Sequence, residues 1–474
     1  MALNNDNAPH DVVIIGAGIS GMIAANRAAQ LGLRVLVLEQ GTADKYLCNT
    51  RYTGGTFHIG LRDISLDEAT LTARILEATA GFVATDLAAT VAREGRRVIS
   101  WLQAEGSRFM RASASEYHKF VLAPPGRSRP GLDWEGRAGD VMLQNLETNL
   151  NKRGGRLVRG ARGRSLIMEA GRCVGVVAEQ GGSAVHYAAR AVFIADGGFQ
   201  GNLDLVRQYI CAHPEKLKQR GAGTGRGDGL TMATAVGAAL IGTDRFYGHT
   251  QSRDALTNDN LWPYPYLDSL VTAGIVVDAQ AQRFVDEGRG GVFVANAIAG
   301  LDDPLSAQVI FDNTIWEKAG RNGLIAANPH LEKEGATIHR GNTLEALAAA
   351  AGLPAQALAQ TVAGYNQALA AKTLESGAVT PARQSSKHEA CAILQGPFFA
   401  VPMVAGITNT MGGIRVNVHA QALRTDGSAI DGLYALGAAT GGLEGGPEIG
   451  YVGGLVKGGV TALLAAEHLA SLKP

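Results

Sequence analysis

The run Gly16-Ala17-Gly18-Ile19-Ser20-Gly21 carries three glycines at a spacing that lets backbone come close to a pyrophosphate. Gly16 permits a tight turn, Gly18 the close approach, and Gly21 tight packing of a following helix, whose N-terminus favours negative charge. Glu39 stands 18 residues after Gly21. An acid there accepts hydrogen bonds from a ribose 2′-hydroxyl and disfavours a 2′-phosphate, which argues against NADP. A lone G-x-G-x-x-G is weak evidence, because glycine-rich chains meet it by chance. Here an apolar run precedes it, a helical stretch follows, and a second apolar run ends in the acid. These residues suit FAD and NAD alike. A second unit of the same kind, expected if NAD(P)H were also bound, is absent.

Other reactive side chains are scattered. Cys48, Cys173, Cys211 and Cys391 form no C-x-x-C pair, so their spacing assembles neither a zinc site nor an iron–sulfur cluster, and no metal is expected. Cys48 lacks a resolving cysteine nearby in sequence. His58 and the Tyr117-His118 pair are further candidates, although isolated histidines are commonly structural.

Several elements must position these groups. Residues 12–15 and 35–38 read as buried parallel strands around a helix at 22–31. Strand-like runs follow at 166–168, 174–178 and 191–195, the last ending in Asp196-Gly197-Gly198. A glycine-rich loop at 221–229 precedes a helical stretch at 230–240. The composition then changes to an aromatic cluster (Phe246, Tyr247, Trp262, Tyr264, Tyr266) and an alanine-rich helical pair at 344–351 and 354–371. Strand-like runs return at 397–401, 412–416 and 433–436, and a helix at 455–472 closes the chain. The pattern predicts an α/β nucleotide-binding domain built from residues 1–243 and 393–474, with a second domain, 244–392, inserted between them.

Composition narrows the function. Of 474 residues, Lys+Arg and Asp+Glu number 43 each, so no net charge draws nucleic acid or an anionic membrane surface. The 62 glycines are about twice the usual ~7% and suit a backbone wrapped around a large ligand. A polar start at 1–10 and the lack of an apolar run of ~20 residues predict no signal peptide and no membrane span. With the scattered cysteines, they predict a cytoplasmic protein.

Four segments, NTRYTGGT at 49–56, ADGGFQGN at 195–202, TGRGDG at 224–229 and LYALGAATGG at 433–442, resemble the fumarate reductase/succinate dehydrogenase flavoprotein superfamily. Arg283-Phe284-Val285-Asp286-Glu287 resembles its R-F-x-N/D-E motif, and Asn409-Thr410-Met411-Gly412-Gly413 its H-T-x-G-G. The likeness follows the family order along nearly the whole chain. Asp286-Glu287-Gly288 and Gly450-Tyr451-Val452-Gly453-Gly454 are most similar to the soluble tricarballylate dehydrogenase branch, with ketosteroid dehydrogenases a second comparison.

The resemblance implies a Rossmann-like FAD domain of glutathione reductase type with an α+β capping domain, and substrate held between the two against the flavin. It places cofactor contacts at Gly16, Ala17, Gly18, Ser20, Gly21, Glu39, Gln40, Asn49, Thr50, Gly54, Gly55, Asp196, Gly197, Gly198, Asp228, Gly437, Gly454 and Leu455. Asn49 falls where covalently flavinylated relatives carry histidine, so FAD is expected to be non-covalent. His249 matches a substrate-orienting histidine. A second such histidine falls at Asn409, beside Thr410, and a carboxylate-gripping arginine falls at Glu448. The catalytic arginine has no clean counterpart, Arg289 being nearest, and a glutamate facing the ribityl chain is replaced by Ala438.

Glutamate in place of a bidentate arginine reverses local charge, so a compact dicarboxylate is a poor substrate. The aromatic cluster suggests a larger, cyclic molecule with one carbonyl or carboxylate. The implied chemistry is desaturation of a C–C bond next to that carbonyl, with hydride passing to flavin and electrons then to an external acceptor or oxygen. An ene-reductase, or a carrier subunit serving a redox partner, is the alternative. Tyr451, in the glycine-rich C-terminal loop, is the first candidate for proton transfer, and it would need neighbouring positive charge to act as a base. Arg289 is the second candidate. Glu448 is a base, a partner for Arg289, or a solvated acid.

Overall fold

The computed structural model describes residues 10–323 and 325–472. Most of the polar start at 1–10 lies outside them. Strand His10–Ile15 pairs in parallel with Val35–Glu39 on one side and Ser183–Ile194 on the other, with Val12 opposite both Val35 and Ala191. Helices cover one face of this sheet and the strands Ala161–Glu169 and Arg172–Gln180 pack on the other, which is why its strands are unbroken apolar runs and not alternating ones. Ala429–Ala435 joins the far edge of Ser183–Ile194, also in parallel, so both ends of the chain contribute strands to one sheet. Ser183–Ile194 has two partners along its length. Its second half lies beside His10–Ile15, while its first half closes an antiparallel meander with Arg172–Gln180 and Ala161–Glu169.

Helix Ile19–Gln30 starts at Gly18 and buries most of its surface against the helices Gly454–Ser471 and Ala138–Lys152. Gly21 is needed there, because a Cβ would sit 1.9 Å from the Gly16 carbonyl oxygen. The short turn Asn49–Tyr52 is held down by Arg51, which is fully buried. Its guanidinium pairs with buried Asp140 and donates to the Tyr46 carbonyl at 2.7 Å, and Asp140 also accepts from Gly136 N at 2.7 Å.

A second sheet, in the order Phe246–Ser252, Phe398–Thr410, Gln308–Asp312, Ile275–Val277, forms the core of the other lobe. Here the expected boundary at 392/393 needs correction. The 13-residue strand Phe398–Thr410 is the spine of the inserted lobe, pairing with Phe246–Ser252, Gln308–Asp312 and His339–Gly341. Its apolar face packs among Phe311, Trp316 and Val309. The expected N-terminal boundary is also porous, since Phe199, Val206 and Leu217 bury themselves in this second core. The chain returns to the first lobe at Gly413–Arg415, which pairs with Leu240–Ile241. Among the described residues, no helix is long and apolar enough to cross a membrane.

Arg51→Met would leave the Asp140 carboxylate buried without its cation. Breaking a buried pair from one side costs ~3–5 kcal/mol, so the expected outcome is a large fall in the thermal unfolding midpoint. Arg51→Met with Asp140→Asn should recover part of it in the same assay.

Candidate active site

The first βαβ unit opens a cleft of about 290 Å³ at the carboxyl ends of its strands. Gly16 has φ +98°, and a Cβ there would lie 2.6 Å from the Ala195 carbonyl oxygen, so only glycine fits. Thr50 Oγ1 accepts from Ile19 N at 2.9 Å and fixes the loop's exit. Glu39 is buried, with its two oxygens accepting from Ala17 N (3.1 Å) and Gly41 N (2.8 Å). Burial pushes its carboxyl above the ordinary range while those two bonds oppose the shift. Each oxygen keeps a further lone pair for a ribose hydroxyl.

Further along the cleft, Asp196 accepts from Gly229 N at 2.7 Å through one oxygen, while the other is buried without a partner, as is Gln200 Oε1. Burial pushes the Asp196 carboxyl up to about 7. Arg162 and Asp228 form a two-pronged pair at 2.6 and 2.8 Å on the same wall. The glycine cradle and these unpaired acceptors fit the phosphates and hydroxyls of a dinucleotide.

The cleft runs into a second cavity of about 740 Å³. Tyr52, Gly54, Thr56, His58, Tyr247, His249, Tyr264 and Tyr451 line both. A relay crosses this junction. Tyr451 stacks on Tyr247 with ring centroids 3.7 Å apart, Tyr247 Oη lies 3.0 Å from His249 Nε2, and His249 Nδ1 lies 2.5 Å from Asp268 Oδ2. Asp268 Oδ1 accepts from Thr250 N (3.0 Å) and Thr250 Oγ1 (2.8 Å), and Tyr266 stacks on the imidazole at 4.5 Å. Although burial opposes it, the neighbouring imidazole of His249 and then the bonds from Thr250 hold the Asp268 carboxyl below the usual range. Burial lowers the His249 pKa against the opposing charge of Asp268, with Arg220 adding to the fall, so a neutral imidazole presents Nε2 to Tyr247. Burial also pushes both Tyr247 and Tyr451 well above an ordinary phenol.

The larger cavity is walled by aromatic rings, among them Tyr117, Trp134, Tyr264, Tyr266 and Phe293. Its cation nearest the C-terminal loop, Arg289, is neutralised by Glu448 at 2.6 Å and lies 3.6 Å over the Phe293 ring.

The family model described as "FAD binding domain" matches residues 11–450. The chain belongs to this FAD-binding family, within the fumarate reductase/succinate dehydrogenase flavoprotein superfamily. A 4-oxocyclohexanecarboxylate 2-dehydrogenase of Sinomonas cyclohexanicum is 30% identical over 346 residues, 66% of this chain and 57% of that protein. An NADH:acrylate oxidoreductase of Vibrio harveyi is 28% identical over 388 residues, 77% of this chain and 35% of that protein. The chain thus spans about a third to a little over half of these two relatives. In fold it is similar to a 3-ketosteroid delta1-dehydrogenase of Sterolibacterium denitrificans, with TM-score 0.74, 20% identity, and coverage of 98% of this chain and 100% of that one.

FAD is therefore the cofactor, and the cleft is lined by Gly16, Ala17, Gly18, Ser20, Glu39, Gln40, Asn49, Thr50, Gly54, Asp196, Gly197, Gly198, Asp228, Gly454 and Leu455. Three expected contacts are structural instead. Gly21 packs helix on loop. Gly55 lies behind the wall, where a Cβ would come 2.9 Å from Leu122 Cβ, and Gly437 packs on Ser20 while its N–H donates to Thr461 Oγ1 at 2.9 Å. Thr410 is also corrected. It is fully buried, takes Phe199 N at 3.3 Å, and lines neither cavity.

Asn409 faces the cleft, and Arg289 and Glu448 face the larger cavity as a closed pair, not as separate binding groups. Tyr451 lines both, yet no cation depresses its phenol. Glu444 is the charge acting on it, and it raises the pKa further, so the expected role as a base does not fit. Burial pushes the Cys48 thiol up to about 11, which keeps it protonated. Tyr247 counted in the sequence only as a cluster aromatic, while Asp268 and Arg220 gave no signal at all. Asp268 is an ordinary acid opening a short helix, 19 residues beyond His249.

Burial lowers the His58 pKa from 6.5 to about 4. The unfolded chain takes a proton below 6.5 that the folded one refuses, so stability falls as pH drops from about 6.5 to about 4. His58→Asn keeps an acceptor for Leu61 N and removes the titration. Its unfolding midpoint should fall less than the native protein's between pH 7 and pH 4.5.

Proposed function

We propose that the chain is an FAD-dependent dehydrogenase that desaturates a C–C bond α,β to a carbonyl or carboxylate on a cyclic or bulky substrate. The observation carrying this reading is the Tyr451–Tyr247–His249–Asp268 relay, set in the wall shared by the cofactor cleft and an aromatic cavity. Bound FAD supplies hydride acceptance at its ring. Everything else falls to side chains. Tyr451 Oη accepts from Gly454 N at 2.9 Å, which leaves its own proton to donate to a substrate carbonyl oxygen and stabilise developing enolate charge. Tyr247 takes the acidified α-proton as it gives its own to His249 Nε2, and Asp268 holds the imidazolium so formed.

The cavity supports the substrate class. Its volume falls in the ~300–1,000 Å³ range of sites for drug-sized ligands, and its ring-covered walls suit an alicyclic body. Arg289, the arginine nearest the C-terminal loop, is occupied by Glu448. Two of the relatives are named for a cyclic oxo-acid and a ketosteroid. FAD is retained non-covalently, because Asn49 has no nucleophile and Cys48 stays a thiol. An external acceptor or oxygen then removes the electrons. The same relay run backwards is an ene-reductase, a reading favoured by two phenols poised as proton donors and by the NADH:acrylate oxidoreductase and a vinyl phenol reductase among the relatives.

Anaerobic mixing of the yellow holoenzyme with cyclic ketones, cyclic carboxylates and polycarboxylates should bleach the flavin with a cyclic member of the panel. If none bleaches it, and an enone or enoate recolours the dithionite-reduced protein, the reductase direction stands. Turnover of succinate or fumarate with a low KM would overturn the substrate class. Tyr247→Phe should slow flavin reduction by ~10²-fold or more, the usual scale for loss of a positioned acid–base group. His249 must be neutral to take the proton, and its pKa lies below 6.5. The rate should therefore rise with pH along an acid limb centred below 6.5 and level off above it.

A further inference from the structure

Arg220 has no part in the relay, yet its side chain is the least compensated charge near it. The residue is 6% exposed, and among the described residues no carboxylate lies within ion-pair distance of it. Its Nη1 donates to Thr408 Oγ1 at 2.7 Å, its Nη2 donates to the Pro263 carbonyl at 3.0 Å, and its Nε is buried without a partner. Neutral oxygens alone hold a guanidinium that has lost its water, an arrangement that costs several kcal/mol unless an anion completes it.

The backbone puts it there deliberately. Lys218–Gln219 pairs in parallel with Gly406 and Ile407, and Arg220 N donates to the Ile407 carbonyl at 2.7 Å. Gly406 makes room for the chain, since a Cβ there would lie 2.3 Å from Arg220 Cδ. Arg220 lines the cofactor cleft and is absent from the lining of the larger cavity. Within that cleft it belongs to the junction end. It holds Pro263, which lines both cavities, and its charge acts on Tyr247 and His249. Glu39, Arg162 and Asp228, at the nucleotide end, form no hydrogen bond or ion pair with it among the described residues.

We infer that Arg220 is the electrostatic partner of the flavin ring, compensating the negative charge the ring acquires when it is reduced. A hydride brings two electrons and one proton, so the ring gains one unit of negative charge, and a fixed cation beside it favours the reduced state. Arg220 thereby sets how strongly the bound flavin draws hydride. The inference rests on the FAD assignment and not on the desaturase reading.

The test uses holoenzyme and no substrate, so its failure leaves the desaturase reading standing. Sulfite adds its electron pair to the flavin ring and charges it negatively, and the loss of yellow absorbance reports its affinity. Arg220→Met and Arg220→Gln should weaken sulfite binding at least tenfold. They should also lower the two-electron midpoint potential, by ~30 mV for each tenfold loss of preference for reduced flavin. Arg220→Lys keeps the charge and should stay within threefold. If a neutral variant releases FAD, the same preference is read as the ratio of its affinities for oxidised and reduced FAD. Sulfite affinity and potential within twofold of native in both neutral variants would overturn the inference. So would a loss confined to binding of cyclohexanecarboxylate, which would make the arginine a substrate group.

Discussion

One side chain, Asn49, holds three segments in register, and the geometry of the junction depends on it. Its Nδ2 donates to the Thr408 carbonyl at 2.8 Å, and its Oδ1 accepts from Ala222 N at 2.9 Å. The first bond reaches the spine strand of the capping lobe, the second the glycine loop of the FAD lobe. Asn49 itself opens the turn that Arg51 pins to the helix Ala138–Lys152 through buried Asp140. A cap strand, a cofactor loop and the core of the first lobe thus meet at one amide. Thr408 carries Arg220, and the neighbouring strand Phe246–Ser252 carries Tyr247 and His249. The relative placement of flavin site and relay therefore comes from a few hydrogen bonds between lobes.

Charge is managed with equal economy. In a chain of zero net charge, most deep ionic groups are closed pairs: Arg51 with Asp140, Arg283 with Glu287 at 2.6 Å, and Lys457 with Glu444 at 2.5 Å. Such pairs add little net stability, but each is costly to break from one side, and so each fixes a local conformation. The Glu444–Lys457 pair ties the loop bearing Tyr451 to the C-terminal helix. At the junction the shared wall presents mainly the phenols of Tyr52, Tyr247, Tyr264 and Tyr451, while the charged side chains Arg74, Arg127, Arg129, Arg137 and Lys387 line other parts of the larger cavity and Arg220 the cleft. Phenols in such a place keep their protons and act as donors, which suits a ketone or a single carboxylate better than a polyanion.

Much of this was legible in the residues. The glycine turn with Glu39, the return of the chain's end to the first sheet, and the superfamily motifs all depend on local backbone demands that leave a mark in sequence. Only glycine fits at Gly16 against Ala195, and the residue announces the turn. The domain boundary was not legible, because residues 398–410 are apolar enough to be a strand of either lobe, and pairing partners 57 or more residues away decide which. The relay was half legible. His249 stood out through family likeness, but Asp268 reaches it only through folding, and Tyr247 is one aromatic among several. Arg289 and Glu448 both line the larger cavity, yet their mutual neutralisation, left open as one of three roles for Glu448, is a fact of distance that spacing does not encode.

The direction of reaction is the property least tied to any one residue. The hydrogen-bonded chain Tyr247–His249–Asp268, with Tyr451 stacked beside it, moves a proton in either direction, since each bond that forms one way breaks the other. Asymmetry has to come from the energy of the reduced ring. Arg220, at the end of the two-residue strand Lys218–Gln219, bears on that energy. A change in how Lys218–Gln219 sits against Gly406 and Ile407 would shift a guanidinium that makes no hydrogen bond to the relay, yet whose charge pulls down the pKa values of Tyr247 and His249. On this fold, proton chemistry and electron affinity are therefore coupled through one charge, although they are held on different strands that meet at Phe398–Thr410.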